Sequence, residues 1–590
     1  GDIHLSINPF KNFMLRTTLG MDYTQKEQRF FTYPIANGKV MRTDSAVEGK
    51  QEHTMRWMWN AIATYNFELG KHRGDAMIGT EVNRMDYKMN SAKRYELAIL
   101  NTDYMWPSAG AGKQLAEGFG EGFSLVSFFG KVNYTFADKY LASFTIRRDG
   151  SSRFGSHNQY GTFPSVSAGW RISEEKFMES TKGWLDNMKL RYSWGQTGNQ
   201  EISNTARYTL YKSVVSTGLW GSGQAGSSYD IAGTNGGYDL PNGYVRNQRG
   251  NDDIKWETTT QHNIGLDFAL IGNEVYGSFD WFNKKTTDIL LFMEGIAAMG
   301  EGSGQWINAG EVKNNGWELT LGYRHQLPNG FSWDLSGNVS KYTNEITKLP
   351  ETVAANGKYG GNGVKSVVGH PMYSQVGYIY DGIFKSQEEI DNHARQEGAG
   401  LGRIRYKDLN GDGIITEADQ DWIYDPTPDF TWGLNIYLQY KDFDFTMFWQ
   451  GVQGVDVDCR GYKSQTDFWA NSAINVPYLN KGVRALDAWS TSNPGSDIPA
   501  LTTSDTNNEG RVSSYYIENG SYAKLRTIQL GYNLPKTLTD KLKMDRIRVY
   551  ASAQNLLTIK SSKFTGNDPE NPGFGYPIPL NLTFGLNVSF

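Results

Sequence analysis

The chain of 590 residues contains one cysteine, Cys459, so no disulfide can form within it and a fold held by bridged loops is excluded. No apolar run reaches the roughly 18 residues that a membrane helix needs. That excludes helical spanning only, because a barrel strand crosses with about 10 residues, half of them polar. Positive charge is not in excess: 58 Lys and Arg stand against 63 Asp and Glu, a net charge of −5, which removes the electrostatic basis for nucleic-acid binding. The eight histidines are scattered, with no His-Glu-x-x-His pair, so a zinc site of that type is not expected. The glycine-rich runs Gly118–Gly122 and Gly300–Gly304 lack the Lys-Ser/Thr of a phosphate-binding loop and read as turns. Ser, His and Asp are all present, but nothing marks a triad. Residues 1–22 show no basic start followed by an apolar core, so a secreted chain would already have lost its leader.

What is abundant is aromatic. There are 34 Tyr, 29 Phe and 17 Trp, although only 38% of residues are hydrophobic and the mean hydropathy is −0.54. A soluble globule rarely needs that many rings, whereas a membrane barrel carries aromatic girdles at both interfaces. The 66 Gly suit many turns and a crowded sheet face.

The stretch Pro579–Phe590 shows how the chain is built. Leu580, Leu582, Phe584, Leu586, Val588 and Phe590 alternate with Asn581, Thr583, Gly585, Asn587 and Ser589. A strict period of two is a β-strand with one apolar and one polar face. A last strand ending on an aromatic residue is expected where the final strand lies in a membrane sheet, and it resembles the terminal signal by which outer-membrane proteins are recognised for insertion. The same unit recurs from Lys11–Tyr23 through Met55–Phe67, Arg73–Lys88, Ser127–Phe136 and Tyr140–Arg148 to the hairpin joining Ser521–Tyr532 with Ile547–Ala553. Thr24–Thr54 and Met89–Phe123 read as polar loops. The tally is about 16 strands, of roughly 9–13 residues each. Alternate connections are short and the others run to dozens of residues, as with short periplasmic turns and long outer loops. On this assignment both chain ends fall on the short-turn side. The predicted class is all-β, a transmembrane antiparallel β-barrel occupying residues 1–590. Two long outer loops fall at 344–429 and 451–520. The same alternation also describes soluble all-β folds; loop asymmetry, aromatic strand ends and the terminal Phe590 weigh against them.

Several longer motifs then identify a family. Arg148-Asp149-Gly150-Ser151-Ser152-Arg153-Phe154-Gly155, Phe163–Ser173, Leu190–Asn199, Trp256-Glu257-Thr258-Thr259, Asn308–Glu318, Gly382-Ile383-Phe384 and Ala553-Gln554-Asn555-Leu556 resemble the SusC/RagA family of TonB-linked outer-membrane transporters. The resemblance implies a plugged barrel of about 22 strands. It also implies a SusD-like surface lipoprotein as lid, and energy drawn from the TonB complex through the plug. The cargo it implies is most often oligosaccharide and sometimes peptide. No plug sequence is evident and roughly six strands are wanting. The chain therefore reads as a carboxy-terminal barrel portion, completed by further strands or a second chain. Direct pairing of Lys11–Tyr23 with Leu580–Phe590 would contradict that. The remaining alternatives are a passive porin and, from another class, an outer-membrane barrel enzyme.

Two sets of site residues stand out. Asp408, Asn410, Asp412, Ile414, Thr416 and Asp419 occupy positions 1, 3, 5, 7, 9 and 12 of a loop with Gly413 at 6, the spacing of an EF-hand-type calcium loop. A hard cation takes roughly 6–8 oxygens, which alternate residues of a turning loop can supply. Asp419 is shorter than the usual Glu, and a metal-free Asx turn explains the same residues. Loop aromatics, among them Trp220, Tyr229, Trp306, Tyr378 and Trp469, suit substrate or lid contact, since sugar C–H faces stack on rings while hydroxyls take amides. For any single ring, loop packing is the competing explanation. Arg148–Gly155 could bind an anion, but reads first as a rim loop whose Arg and Asp satisfy backbone groups.

Overall fold

A strand with one apolar and one polar face needs a partner for its backbone and two different media for its faces. The computed structural model describes residues 1–37, 40–213, 244–293, 304–350, 366–468, 481–503, 507–573 and 575–590. Among them, 17 strands form one large antiparallel sheet. They are β1 (Asp2–Ile7), β2 (Phe13–Thr32), β3 (Ala46–Leu69), β4 (His72–Tyr95), β5 (Gln114–Phe136), β6 (Tyr140–Ser151), β7 (Tyr160–Arg171), β8 (Leu185–Asn199) and β9 (Glu257–Leu270). These are followed by β10 (Val275–Thr287), β11 (Glu311–Gln326), β12 (Phe331–Lys348), β13 (Phe430–Tyr440), β14 (Phe443–Gln453), β15 (Tyr522–Asn533), β16 (Arg546–Lys560) and β17 (Asn581–Ser589). Connections alternate between short turns and long excursions, as expected. The chain divides into two compact units.

The first unit comprises Gly1–Gly169, Ser193–His262 and Lys285–Glu311. Its strands β1 to β6 pair antiparallel in chain order. On one face Leu19, Ile78 and Phe128 are 54%, 69% and 52% exposed. Apolar side chains left open in this way fit a lipid-facing band and exclude the stacked layers of a sandwich. The β5–β6 hairpin turns on Ala137 and Asp138, both at positive φ, the twist that a two-residue turn needs to match its strands.

Two expectations are corrected here. The two ends of Thr24–Thr54 and of Met89–Phe123, about half of each, are strand and not loop: β2 pairs with β3 from Phe13↔Tyr65 to Thr32↔Ala46, and β4 with β5 from His72↔Phe136 to Arg94↔Gln114. Past the apolar band both faces meet water, so alternation fades, yet the backbone ladder continues because every N–H still finds a carbonyl. The count of 17 agrees with about 16, the additional strand being Asp2–Ile7 beside Leu15–Gly20. The amino terminus therefore lies beside Met21, whose carbonyl accepts from the Gly1 amine at 2.7 Å, and not at the short turns. The two edges of β2 are taken by β1 and β3, so Lys11–Tyr23 does not pair with Leu580–Phe590.

The second unit comprises Trp170–Tyr192, Asn263–Lys284 and Val312–Phe590. Here β12 to β17 pair in chain order. Leu582, Phe584 and Leu586 lie opposite Ala553, Ala551 and Val549, and Phe584 is 83% exposed. Near the short turns Tyr323, Trp333, Phe331 and Tyr440 touch in series at 5.7–6.2 Å between ring centres, part of an aromatic girdle.

The opposite, polar face is tied by bonds that skip a strand. Arg191 on β8 reaches Asp280 on β10 at 3.0 Å. Tyr276 on β10 donates to Asp334 on β12 at 2.8 Å. Arg548 on β16 reaches Asp444 on β14 at 2.9 Å. Each bond passes over a glycine on the intervening strand, Gly265, Gly322 or Gly531, where a Cβ would collide with the bonded side chains or their ring. The glycines are thus a condition for the ties.

Candidate functional site

Residues of several of the family-like motifs meet in one cluster of the first unit. Phe154, Phe163, Ile202, Ala206, Ile254 and Trp256 form a buried core. Trp256 packs on Phe154 and edge-on to Phe163, with centroids 5.1 and 5.4 Å apart, and its indole N–H donates to the Gln159 carbonyl at 2.9 Å. Arg153, nearly buried, lies over the Phe123 ring at 4.3 Å and donates to the Gln200 carbonyl and Asn204. Asn308 donates to the carbonyls of Lys255 and Asp288. Among the described residues Asp149 takes Arg147 at 2.7 Å and no backbone group. The motif is thus a clamp for loop backbone at the strand exits, with Arg153 rather than Asp149 as the backbone-satisfying group.

The outer connections of the second unit fold into a body with its own core. Ile383, Ile404, Tyr406, Phe468, Trp489, Tyr515 and Tyr516 are buried together, although they come from two different connections. Glu509, with no exposed surface, accepts from Arg403 at 2.9 Å and from the Ile404 N–H at 3.0 Å. Asp467, equally buried, accepts from Arg484 at 2.8 Å and from the Tyr515 hydroxyl at 2.7 Å. The third connection is pinned by charge: Lys524 on β15, 1% exposed, donates to Asp568 at 2.6 Å, and Glu570 takes the Tyr522 hydroxyl and Arg526. Such pairs fix geometry more than they add stability. Nothing in the sequence marks these partners, which lie up to 106 residues apart.

Glu518 joins two of these connections. It accepts from Lys463 at 2.8 Å and from the N–H and hydroxyl of Thr565. Burial alone would push its carboxyl up, but Lys463 and Thr565 outweigh burial and hold it below the ordinary glutamate range. A depressed folded value means the tether is fully present at neutral pH and lost as pH falls through that value. Protection factors of amides around Thr565, that is exchange corrected for its intrinsic pH dependence, are therefore expected to stay flat from pH 8 to about 5 and to fall only below about pH 4. Loosening at pH 6 would contradict this. Cys459 donates to the same carboxylate, and burial pushes its thiol up to about 12, so it is a packed group and not a nucleophile.

In the Asp408–Asp419 loop the acidic side chains fold back over the turn. Asp408 accepts from the N–H groups of Gly411 and Gly413. Asn410 accepts from Asp412, and Asp412 from Ile414. Asp419 is fully buried and accepts from Leu409, Asn410 and Thr416. The side chains do not point apart, and the donor set is all oxygen. The loop also closes on its own N–H groups, with Gly411 and Gly413 at positive φ. Among the described residues no three His, Cys, Asp or Glu side chains gather as a metal cluster.

Of the five candidate rings, Trp220, Tyr229 and Trp469 lie outside the described residues. Trp306 is half-buried against the motif cluster, 5.5 Å from Phe292. Tyr378 packs on Tyr406 at 5.3 Å under the Arg511 guanidinium. Both serve packing. Exposed loop rings that the sequence did not single out include Tyr104, Trp106, Tyr208, Tyr373 and Tyr576.

Comparison with known proteins bears on the whole chain. Residues 4–556 match the model of the family described as TonB dependent receptor-like, beta-barrel. TonB-dependent receptor P3 of Formosa agariphila is 32% identical over 550 residues, covering 89% of this chain and 51% of that protein. TonB-dependent receptor SusC of Bacteroides thetaiotaomicron is 29% identical over 606 residues, covering 100% of this chain and 55% of that protein. The chain thus spans about half the length of these relatives. In the solved structure of the RagAB peptide transporter, one chain shares the fold with a TM-score of 0.82 at 24% identity, covering 100% of this chain and 61% of that one.

Proposed function

The chain belongs to the TonB-dependent receptor β-barrel family of the outer membrane, and from that premise we propose that it supplies the barrel wall and outer loops of a SusC-like importer. The cargo is oligosaccharide, with oligopeptide as second class. A SusD-like surface lipoprotein acts as lid, and the TonB complex supplies the energy. The observation that supports this over a passive porin is the loop body around Tyr406 and Tyr516. Long connections with a common buried core make a fixed platform on which a lid and a cargo can be gripped. Exposed rings such as Tyr373 and Tyr576 offer stacking faces to a sugar.

Transport as proposed has no covalent step. The wall excludes lipid, the polar face wets the cargo's hydroxyls or amides, and the loop platform sets the entry geometry. In cells of a strain expressing the protein with its lipoprotein partner, labelled oligosaccharide is expected to accumulate. Accumulation should fall to the level of a deletion strain when the proton gradient is collapsed. Gradient-independent uptake would return the porin reading. Uptake of peptide alone would exchange the cargo class.

For the Asp408–Asp419 loop, calcium is proposed as a brace added to a turn that already holds itself. Oxygens of Asp408, Asn410, Asp412, Thr416 and Asp419, with the Ile414 carbonyl, would hold it, and its charge would stiffen the loop. Amides 408–419 are expected to exchange several-fold more slowly in millimolar calcium than in chelator, without unfolding in the latter. Equal exchange in both would remove calcium from the account.

A further inference from the structure

Strands β2 to β5 continue far past the apolar band, and what their outward face meets there can be read from the register. On β3 the lipid-facing row runs through Phe67, Tyr65, Ala63, Ala61, Trp59, Trp57 and Met55, then turns polar at His53, Gln51 and Gly49. Gln51 and Gly49 stand four and six residues beyond Met55, about 13 and 20 Å along the strand. At the usual barrel tilt that is about 10–15 Å above the end of the apolar row. A phospholipid headgroup occupies only about 5–8 Å per leaflet. A headgroup made of several sugars reaches that height.

The face at that level has the chemistry to hold one. A groove of about 330 Å³ is floored by Gly49, Gln51, Asn90 and Ala92 and closed above by Trp106 and Pro107. Arg29 lies over the Trp106 ring at 4.3 Å, and Trp106 is 48% exposed. Beside the groove Lys88 is exposed and, among the described residues, within ion-pair distance of no carboxylate, whereas Arg84 below it is closed onto Asp86 at 2.8 Å. Next to Lys88, β5 presents Gly118, Gly120 and Gly122 in alternation, a strip with no side chains opposite Asn90, Lys88 and Asp86. Glycine weakens a strand and is favoured where something else approaches the backbone closely. Two cations suit phosphate groups, the ring suits a sugar face, and Gln51, Asn90 and Glu27 suit hydroxyls.

We infer that this outward face of β2–β5 seats the phosphorylated oligosaccharide headgroup of the outer leaflet's lipopolysaccharide. The site is continuous with the lipid-facing band, so its occupant is what stands directly above the acyl chains. It rests on the outer-membrane location alone and is independent of which cargo the protein imports.

The test uses the intact protein purified in mild detergent, with lipid retention read by native mass spectrometry and affinity by titration. Rough lipopolysaccharide, carrying lipid A and core sugars, is expected to bind. The double substitution Arg29→Ala/Lys88→Ala should weaken it by at least about tenfold, as the loss of two charge-assisted contacts requires. Gly120→Leu, filling the strip, should also weaken it severalfold. Lys26→Ala, whose partner Glu52 lies on the opposite face, should leave it unchanged. Heat-modifiable gel mobility reports whether each variant is folded. Unaltered affinity in the folded double variant overturns the proposal. So does phosphatidylglycerol binding as tightly as lipopolysaccharide, or core oligosaccharide freed of lipid being bound at the same residues and imported.

Discussion

Replacing Glu509 with leucine should collapse the outer loop body while leaving the barrel strands paired. The Glu509 carboxylate has no exposed surface, and its two oxygens meet the Arg403 guanidinium and the Ile404 N–H. Leucine keeps the volume and removes both acceptors. Arg403, itself nearly buried, keeps the Ala500 carbonyl but loses its counter-charge. Breaking one side of a buried pair costs about 3–5 kcal/mol, because the remaining charge stays desolvated and unpaired. The loop core is small, seven side chains with Tyr406 and Tyr516 among them, so a loss of that size exceeds what it can absorb. The barrel ladder is separate from this pair, and its backbone bonds have no alternative within lipid. Protease cleavage within 381–516 and uptake reduced at least tenfold, with unchanged heat-modifiable mobility, is the expected outcome. The double substitution Arg403→Met/Glu509→Leu should recover much of the protection, since an apolar pair of similar volume leaves no orphan charge. Protection equal to wild type in the single variant would show that the pair does not hold the body together.

The difference between those two structures, barrel and loop body, is also the difference between what the sequence discloses and what it hides. Leu582, Phe584 and Leu586 announce their strand because lipid on one side and water on the other impose alternation on every second residue. Asn90, Ala92 and Gly120 are no less strand, but both their faces are wet, so no pattern survives and the stretch reads as loop. Asp2–Ile7 did carry alternation, in Ile3, Leu5 and Ile7, but over six residues that is too short a signal to stand alone. The loop body is opaque for another reason. Arg403 and Glu509 find each other across 106 residues, and neither periodicity nor spacing encodes so distant a pairing. The Asp408–Asp419 spacing was legible because a turning loop sets its own geometry locally. The rings show the limit from the other side: residue type picked out Trp306 and Tyr378, but only burial assigns them to packing.

A valine at Gly155 should prevent the motif cluster from closing, and with it the accumulation of folded protein. The Cβ of any larger residue would overlap the carbonyl oxygen of Asp252, with that carbonyl's carbon and the Asp252 Cα close behind. These are backbone atoms, so the collision cannot be relieved by a rotamer change. The Asp252 backbone is itself fixed: Asn158 donates to the neighbouring Asp253 carbonyl at 2.8 Å, and Ile254 is fully buried two residues on. On the other side Phe154 is fully buried against Trp256. Moving either segment opens the core from which Arg153 and Trp256 clamp the loop backbone. Overpacking of this kind costs about 1–3 kcal/mol where the surroundings can shift, and more where they cannot. Gly183 provides the control, since nothing lies within 4 Å of a Cβ built there. Gly183→Val is expected to remain within about 0.5 kcal/mol of wild type. Membrane levels measured by immunoblot, and melting of whatever protein is recovered, should therefore separate the two valines sharply. If Gly155→Val accumulated and melted like Gly183→Val, the contact between the Arg148–Gly155 segment and Asp252 would not be a determinant of the fold, and the motif's glycine would need another explanation.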